Sequence, residues 1–127
     1  MKRPEQNLHR AVAQFLDVAL PADCWWTTIG HGWGKMNKAT AGIAKACGVK
    51  AGVPDILIVY RGRAYFIELK AAKGTESAAQ KATAALLSGA GARRAVARSI
   101  ESVAWAFEVW GIPLRAKIGA LVKGAAA

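Results

Sequence analysis

The stretch "DILIVYRGRAYFIELK" (Asp55–Lys70) decides how this chain folds. Two apolar, β-branched runs flank Arg61-Gly62-Arg63, a pattern that predicts a β-hairpin. In the first run Ile56 and Ile58 point one way and Leu57 and Val59 the other, so a central strand covered on both faces is expected. The second run ends in charge. Glu68 and Lys70 are two positions apart and therefore share a face. With the turn centred between Arg61 and Gly62, Asp55 falls directly opposite Glu68, with Cβ atoms about 4.5–5.5 Å apart. A three-residue loop would shift that register by one, and Arg-Gly is not a favoured hairpin dipeptide.

Two carboxylates so placed repel each other, and burial drives one pKa up. A divalent cation removes the conflict: Mg²⁺ is commonly held by one or two carboxylates, with waters and phosphate oxygens completing its shell. Lys70 adds a donor that would orient or deprotonate an attacking water, or stabilise charge on a phosphate. Taken alone, "ELK" reads more readily as a structural ion-pair cluster. Glu5 tips the balance, because it precedes Leu8 by three residues and Val12 by seven and so shares the core-facing stripe of the first helix. Its plainer role is a favourable charge at a helix N-terminus. Gln80 falls in the first turn of the helix after the third strand, where Ser77-x-x-Gln80 also forms a capping-box pattern.

The remaining periodicities complete an α/β frame. Leu8, Val12, Phe15, Leu16 and Ala19 predict an amphipathic helix from Pro4 to about Leu20, and Cys24–Ile29 predicts a first strand. Gly30–Lys35 is a glycine-punctuated loop, Lys38–Cys47 a short helix, Ser77 to about Ser88 a third helix, Arg94–Arg98 a strand, and Ile100 onward a last helix stopped by Gly111 and Pro113. The expected order is α, β, short α, β, β, α, β, α: a small mixed central β-sheet flanked by helices. The domain is expected over 1–115, and 116–127 reads as a basic, alanine-rich, loosely ordered tail.

The 127 residues suit one domain, and 18 Lys+Arg against 8 Asp+Glu give a net charge of +10. That excess implies a polyanionic partner, with nucleic acid ahead of an anionic membrane surface. No signal-peptide pattern and no apolar run of membrane-spanning length is seen, so a cytoplasmic protein is expected. Cys24 and Cys47 lack a CxxC partner and read as small core-type residues in a reducing cytosol, not as a zinc site or disulfide.

With Glu5 in "PEQNLHRAVAQFL", with "GVPDILIV" and with "YFIELK", the sequence resembles the virus-type replication-repair nucleases (VRR-NUC) of the PD-(D/E)xK nuclease superfamily. The motif stands as Pro54-Asp55, twelve intervening residues, then Glu68-Leu69-Lys70. "GVKAGVPD", Gly74, "SAAQ" and "RS" before the last helix extend the likeness to about Leu114. The resemblance implies an αβββαβ nuclease core that uses Mg²⁺ or Mn²⁺. It implies Glu5, Asp55 and Glu68 as metal ligands, with the backbone carbonyl of Leu69 as an extra one. Lys70 would be the catalytic lysine and Gln80 the helix-borne glutamine of the motif. Stand-alone members of this size are similar to phage or prophage proteins and to dimeric Holliday-junction resolvases. A homodimer acting on branched or structured DNA is therefore expected, with Trp25, Trp26 and Trp110 as candidate apolar surface.

DNA contact is expected from Lys35, Lys38, Lys45 and Lys50 in the glycine-rich region before Asp55, which would meet phosphates without reading sequence. Trp33 in that region is a candidate for base stacking. His31 with Asn37 suggests an HNH-type nuclease, but the second histidine that chemistry needs is missing downstream. Two readings from other classes stand beside the nuclease. One is a non-catalytic, basic nucleic-acid-binding protein with a structural carboxylate cluster. The other is a membrane-surface protein that uses the basic tail.

Overall fold

The computed structural model describes residues 3–29 and 37–115. The Gly30–Lys35 loop, with His31, Trp33 and Lys35, and the tail 116–127 lie outside the described residues. The elements follow the expected order: α1 (Arg3–Ala19), β1 (Cys24–Thr28), α2 (Lys38–Ala46), β2 (Ile56–Tyr60), β3 (Arg63–Leu69), α3 (Ala78–Gly89), β4 (Arg93–Ala97) and α4 (Ile100–Trp110). The four strands form one sheet in the order β1-β2-β3-β4. β1 and β3 both run antiparallel to β2, and β4 runs parallel to β3, so the sheet is mixed.

The hairpin turn has two residues, and both adopt positive φ: Arg61 at 48° and Gly62 at 79°. A two-residue turn of that hand matches the twist of the flanking strands. Arg61 takes the conformation although a Cβ disfavours it there, and its guanidinium lies 5.2 Å from the centroid of the Tyr60 ring. The ladder this turn sets pairs Ile56 with Ile67, Leu57 with Phe66 and Ile58 with Tyr65.

One face of the sheet carries Ile56, Ile58, Tyr60, Tyr65, Ile67 and Leu69, all buried. They join Val12, Phe15 and Leu16 of α1 and Val103 and Phe107 of α4 in a single core. The opposite face departs from the expectation of a strand covered on both sides. Leu57 is half-buried, Val59 is 38% exposed and Trp25, its partner on β1, is 61% exposed. Among the described residues α3 packs beside β4, and no helix makes comparable contact with β1 or β2 on that face.

Two smaller expectations are also corrected. Of the three tryptophans expected to offer apolar surface, only Trp25 does. Trp26 is half-buried with its indole N–H donating to Asp17 Oδ1 at 3.0 Å, and Trp110 is half-buried against Tyr65 and Phe107. Trp105 and Val109 on the outer side of α4 are exposed instead. Cys47 is not a core residue either: it caps the C-terminus of α2 and is exposed.

Candidate active site

Asp55 stands one residue before β2 and Glu68 is the penultimate residue of β3. The hairpin ladder therefore carries on to bring them face to face, as the turn geometry requires. β1 extends the same level, since the Ile29 N–H donates to the Asp55 carbonyl at 2.8 Å. Asp55 Oδ2 accepts from the Leu69 backbone N–H at 2.8 Å, which ties its carboxylate to the end of β3.

Glu68 is 2% exposed. Its Oε1 accepts from Gln80 Nε2 at 2.7 Å and lies 4.0 Å from Lys70 Nζ. Its Oε2 is buried and receives no donor among the described residues. Burial first, then the neighbouring Asp55 carboxylate, push the Glu68 pKa from the ordinary 4.5 up to about 7, while Lys70 and Arg94 pull against the rise. A buried carboxyl in this state has two ways to satisfy Oε2: a proton shared with Asp55, or a cation.

The third element of the site is the first turn of α3. Ser77 caps the helix, and its hydroxyl accepts from the Gln80 N–H at 3.1 Å while Gln80 Oε1 accepts from the Ser77 N–H at 2.9 Å. Gln80 thus closes the capping box with its oxygen and holds Glu68 with its nitrogen. The two roles are compatible because one amide carries both an acceptor and donors. Gly52 (φ 74°) lets the segment before Asp55 press against this turn: a Cβ there would stand 2.2 Å from the Ala79 carbonyl oxygen. Thr83 adds a hydroxyl bond to the Ala51 carbonyl at 2.8 Å.

Lys70 follows β3 directly; its N–H donates to the Ala97 carbonyl at 3.0 Å, and its side chain is 11% exposed. Glu5, in the first turn of α1, sits apart from this pair. Its Oε1 lies 3.4 Å from where a Cβ on Gly74 would be, beside the turn that follows Lys70. Among the described residues no three His, Cys, Asp or Glu side chains form a group that could hold a metal ion. The structure therefore brings together Asp55, Glu68, Leu69, Lys70 and Gln80, and leaves Glu5 on α1, beside the neighbouring turn at Gly74. Lys38, Lys45 and Lys50 are all exposed, and Lys45 and Lys50 line one depression between α2 and the segment before Asp55.

The donors present are hard oxygens: two opposed carboxylates, one with a buried oxygen that receives no hydrogen bond from the described residues. That set fits Mg²⁺ or Mn²⁺, which take carboxylate oxygens and keep water in the remaining positions.

Two solved structures share this architecture. One, a "VRR_NUC domain protein", is 21% identical with a TM-score of 0.62, over 85% of this chain and 88% of that one. The other, a "VRR_NUC domain", is 17% identical with a TM-score of 0.55, over 84% of this chain and 97% of that one. The fold is the VRR_NUC fold. No protein-family model and no curated protein sequence matches the chain.

Within this VRR_NUC fold, three side chains near the site escape a reading of the sequence. Arg94 on β4 pairs with Glu76, just ahead of α3. Arg98 donates to the carbonyls of Ala71 (2.7 Å) and Gly74 (2.6 Å) and so fixes the turn beside Glu5. His9, one helical turn after Glu5, is buried with Nε2 2.9 Å from Thr28 Oγ1. The signal in the sequence is the pair Arg93-Arg94 that opens β4, and only the register of β4 on β3 tells which of the two faces Glu68.

Proposed function

We propose that this protein is a Mg²⁺- or Mn²⁺-dependent DNA endonuclease that hydrolyses phosphodiester bonds in branched or otherwise structured DNA and works as a homodimer. The observation that carries the proposal is the pairing of half-buried Asp55 with buried Glu68, beside Lys70 at the end of a VRR_NUC-type sheet. The nuclease character of that fold, the net charge of +10 and the exposed lysines before Asp55 support DNA as the polyanion.

Asp55, Glu68 and the Leu69 carbonyl would hold the cation, with Glu5 joining them as the resemblance implies. When bound, the cation supplies charge neutralisation to the phosphate and raises the acidity of a coordinated water. The chain's own groups do the rest. Gln80 and the Leu69 N–H each occupy one oxygen of the carboxylate pair, so the other oxygens stay oriented into the site. Lys70, held near Glu68, places an ammonium where negative charge grows on the phosphate oxygens. Water oxygen bonds to phosphorus as one phosphorus–oxygen ester bond breaks, leaving a phosphomonoester and a hydroxyl. The dimer rests on two supports: a four-way junction presents two symmetry-related strands, and Trp25 and Val59 leave apolar surface on the sheet.

The test is a cleavage screen in Mg²⁺ and Mn²⁺ over linear, nicked, flap and four-way DNA, paired with Lys70→Met. Wild-type protein is expected to cut a branched substrate. Lys70→Met is expected to lose on the order of 10²–10³ in single-turnover rate while DNA affinity holds. DNA binding unaffected by EDTA, with no cleavage in either metal, would assign the chain to the non-catalytic binders instead.

A further inference from the structure

The attachment of α3 to the sheet is unusual. None of its residues is buried, and Leu86 is 74% exposed. The apolar burial that normally seats a helix on a sheet is therefore weak here. Polar and steric contacts hold its first two turns instead. On one side are the Gly52 contact and the Thr83 bond to Ala51. On the other side Arg94 Nη2 pairs with Glu76 Oε1, and the two side chains are 13% and 22% exposed. Arg94 is in register with Phe66, two residues before Glu68 on the same face of β3. Charges shielded from water to this degree attract more strongly than an exposed pair.

From this ion pair the contacts run in series. Glu76 adjoins the cap residue Ser77, Ser77 and Gln80 bond reciprocally, and Gln80 Nε2 holds Glu68 Oε1 at 2.7 Å. We propose that Arg94 and Glu76 form a positioning latch: they fix the first turn of α3 and, through Gln80, the orientation of the Glu68 carboxylate. Both are positioning residues, and neither touches the substrate. The catalytic consequence rests on the nuclease reading above; the structural consequence does not.

Four variants test the latch: Arg94→Met, Arg94→Lys, Glu76→Gln and the double Arg94→Met/Glu76→Gln. Each is read by single-turnover cleavage in Mn²⁺, by DNA affinity without added metal, and by amide hydrogen exchange of the metal-free protein. Arg94→Met and Glu76→Gln are each expected to slow cleavage by roughly 10–100-fold, the scale of a misplaced catalytic group. DNA affinity is expected to change little, and exchange at residues 77–80 to quicken while β2 and β3 stay protected. The double variant should be no worse than the poorer single, because both act through one contact. Arg94→Lys, which keeps the charge, should recover most of the rate. If Glu76→Gln cuts and exchanges like wild type while Arg94→Met is impaired, Arg94 acts directly through its charge on Glu68 and the latch is wrong. If Arg94→Met unfolds, exchange rises across β2 and β3, and Glu76→Gln, which keeps the side-chain volume, decides alone. If wild type cuts nothing in any metal, the nuclease reading fails by itself; unchanged exchange at 77–80 in both singles would still overturn the latch.

Discussion

Gln80 donates from Nε2 to Glu68 Oε1 at 2.7 Å while its own Oε1 and N–H close the capping box with Ser77. One amide therefore ends a helix and orients a buried carboxylate.

Replacing Gln80 by Met keeps much of the volume and removes both bonds. Stability in urea is expected to fall by about 1–3 kcal/mol, because two side-chain hydrogen bonds are lost while the Ser77 cap on the residue-80 N–H remains. The Glu68 titration, followed by carboxyl NMR, is expected to move further up, because a donor that favours the carboxylate is gone. A titration that stays in place would mean the Gln80 bond does not act on Glu68.

Gly52→Ala should destabilise the fold on the order of 1–3 kcal/mol, since φ is 74° and the new Cβ would meet the Ala79 carbonyl oxygen at 2.2 Å. Gly48→Ala is the control. Its φ is 95°, but nothing lies within 4 Å of the added Cβ, so only the backbone strain applies. Urea unfolding of both variants should rank Gly52→Ala as the worse. Equal losses would show that α3 is not held at this contact.

The raised Glu68 pKa sets the pH dependence of the metal-free protein. Glu68 holds its proton to about pH 7 when folded but only to about 4.5 when unfolded. Between these values the native state binds more protons, so stability falls as pH rises from 4.5 to 7 and then levels, by up to about 3 kcal/mol. Glu68→Gln should flatten that window. Unfolding midpoints measured from pH 4.5 to 8 in EDTA check this, and a wild-type profile as flat as that of the variant would contradict it.

Asp55→Asn separates charge from scaffold. The amide oxygen still accepts from the Leu69 N–H, so the fold should hold. The charge that helps raise the Glu68 pKa is removed, so that pKa should drop toward its ordinary value. Mn²⁺ affinity, read by calorimetry, should fall at least tenfold, since one of two facing carboxylates is gone. Undiminished affinity would remove Asp55 from the ligand set.

Relations between near neighbours in the chain were legible from residue order alone. The order of elements followed from periodicity and caps, and the Asp55–Glu68 pairing followed from a two-residue turn at Arg61-Gly62. A hairpin register is local: once the turn length is set, every partner along both strands is set with it. Ser77-x-x-Gln80 was legible as a cap for the same reason, because its partners are three residues apart. Tertiary structure decided the rest. That Gln80 also reaches Glu68 depends on where α3 lands, and Gly52 and Arg94 control this from two distant segments. The parallel register of β4 on β3, which puts Arg94 beneath the site, has no turn to set it. Trp26 and Trp110 looked like surface and are half-buried, while on the β1–β2 face, which looked covered, Trp25 and Val59 are exposed among the described residues. A side chain's type fixes what it can bond, but only the packing of elements far apart in the chain fixes which partner arrives, as Gln80 does at Glu68 Oε1.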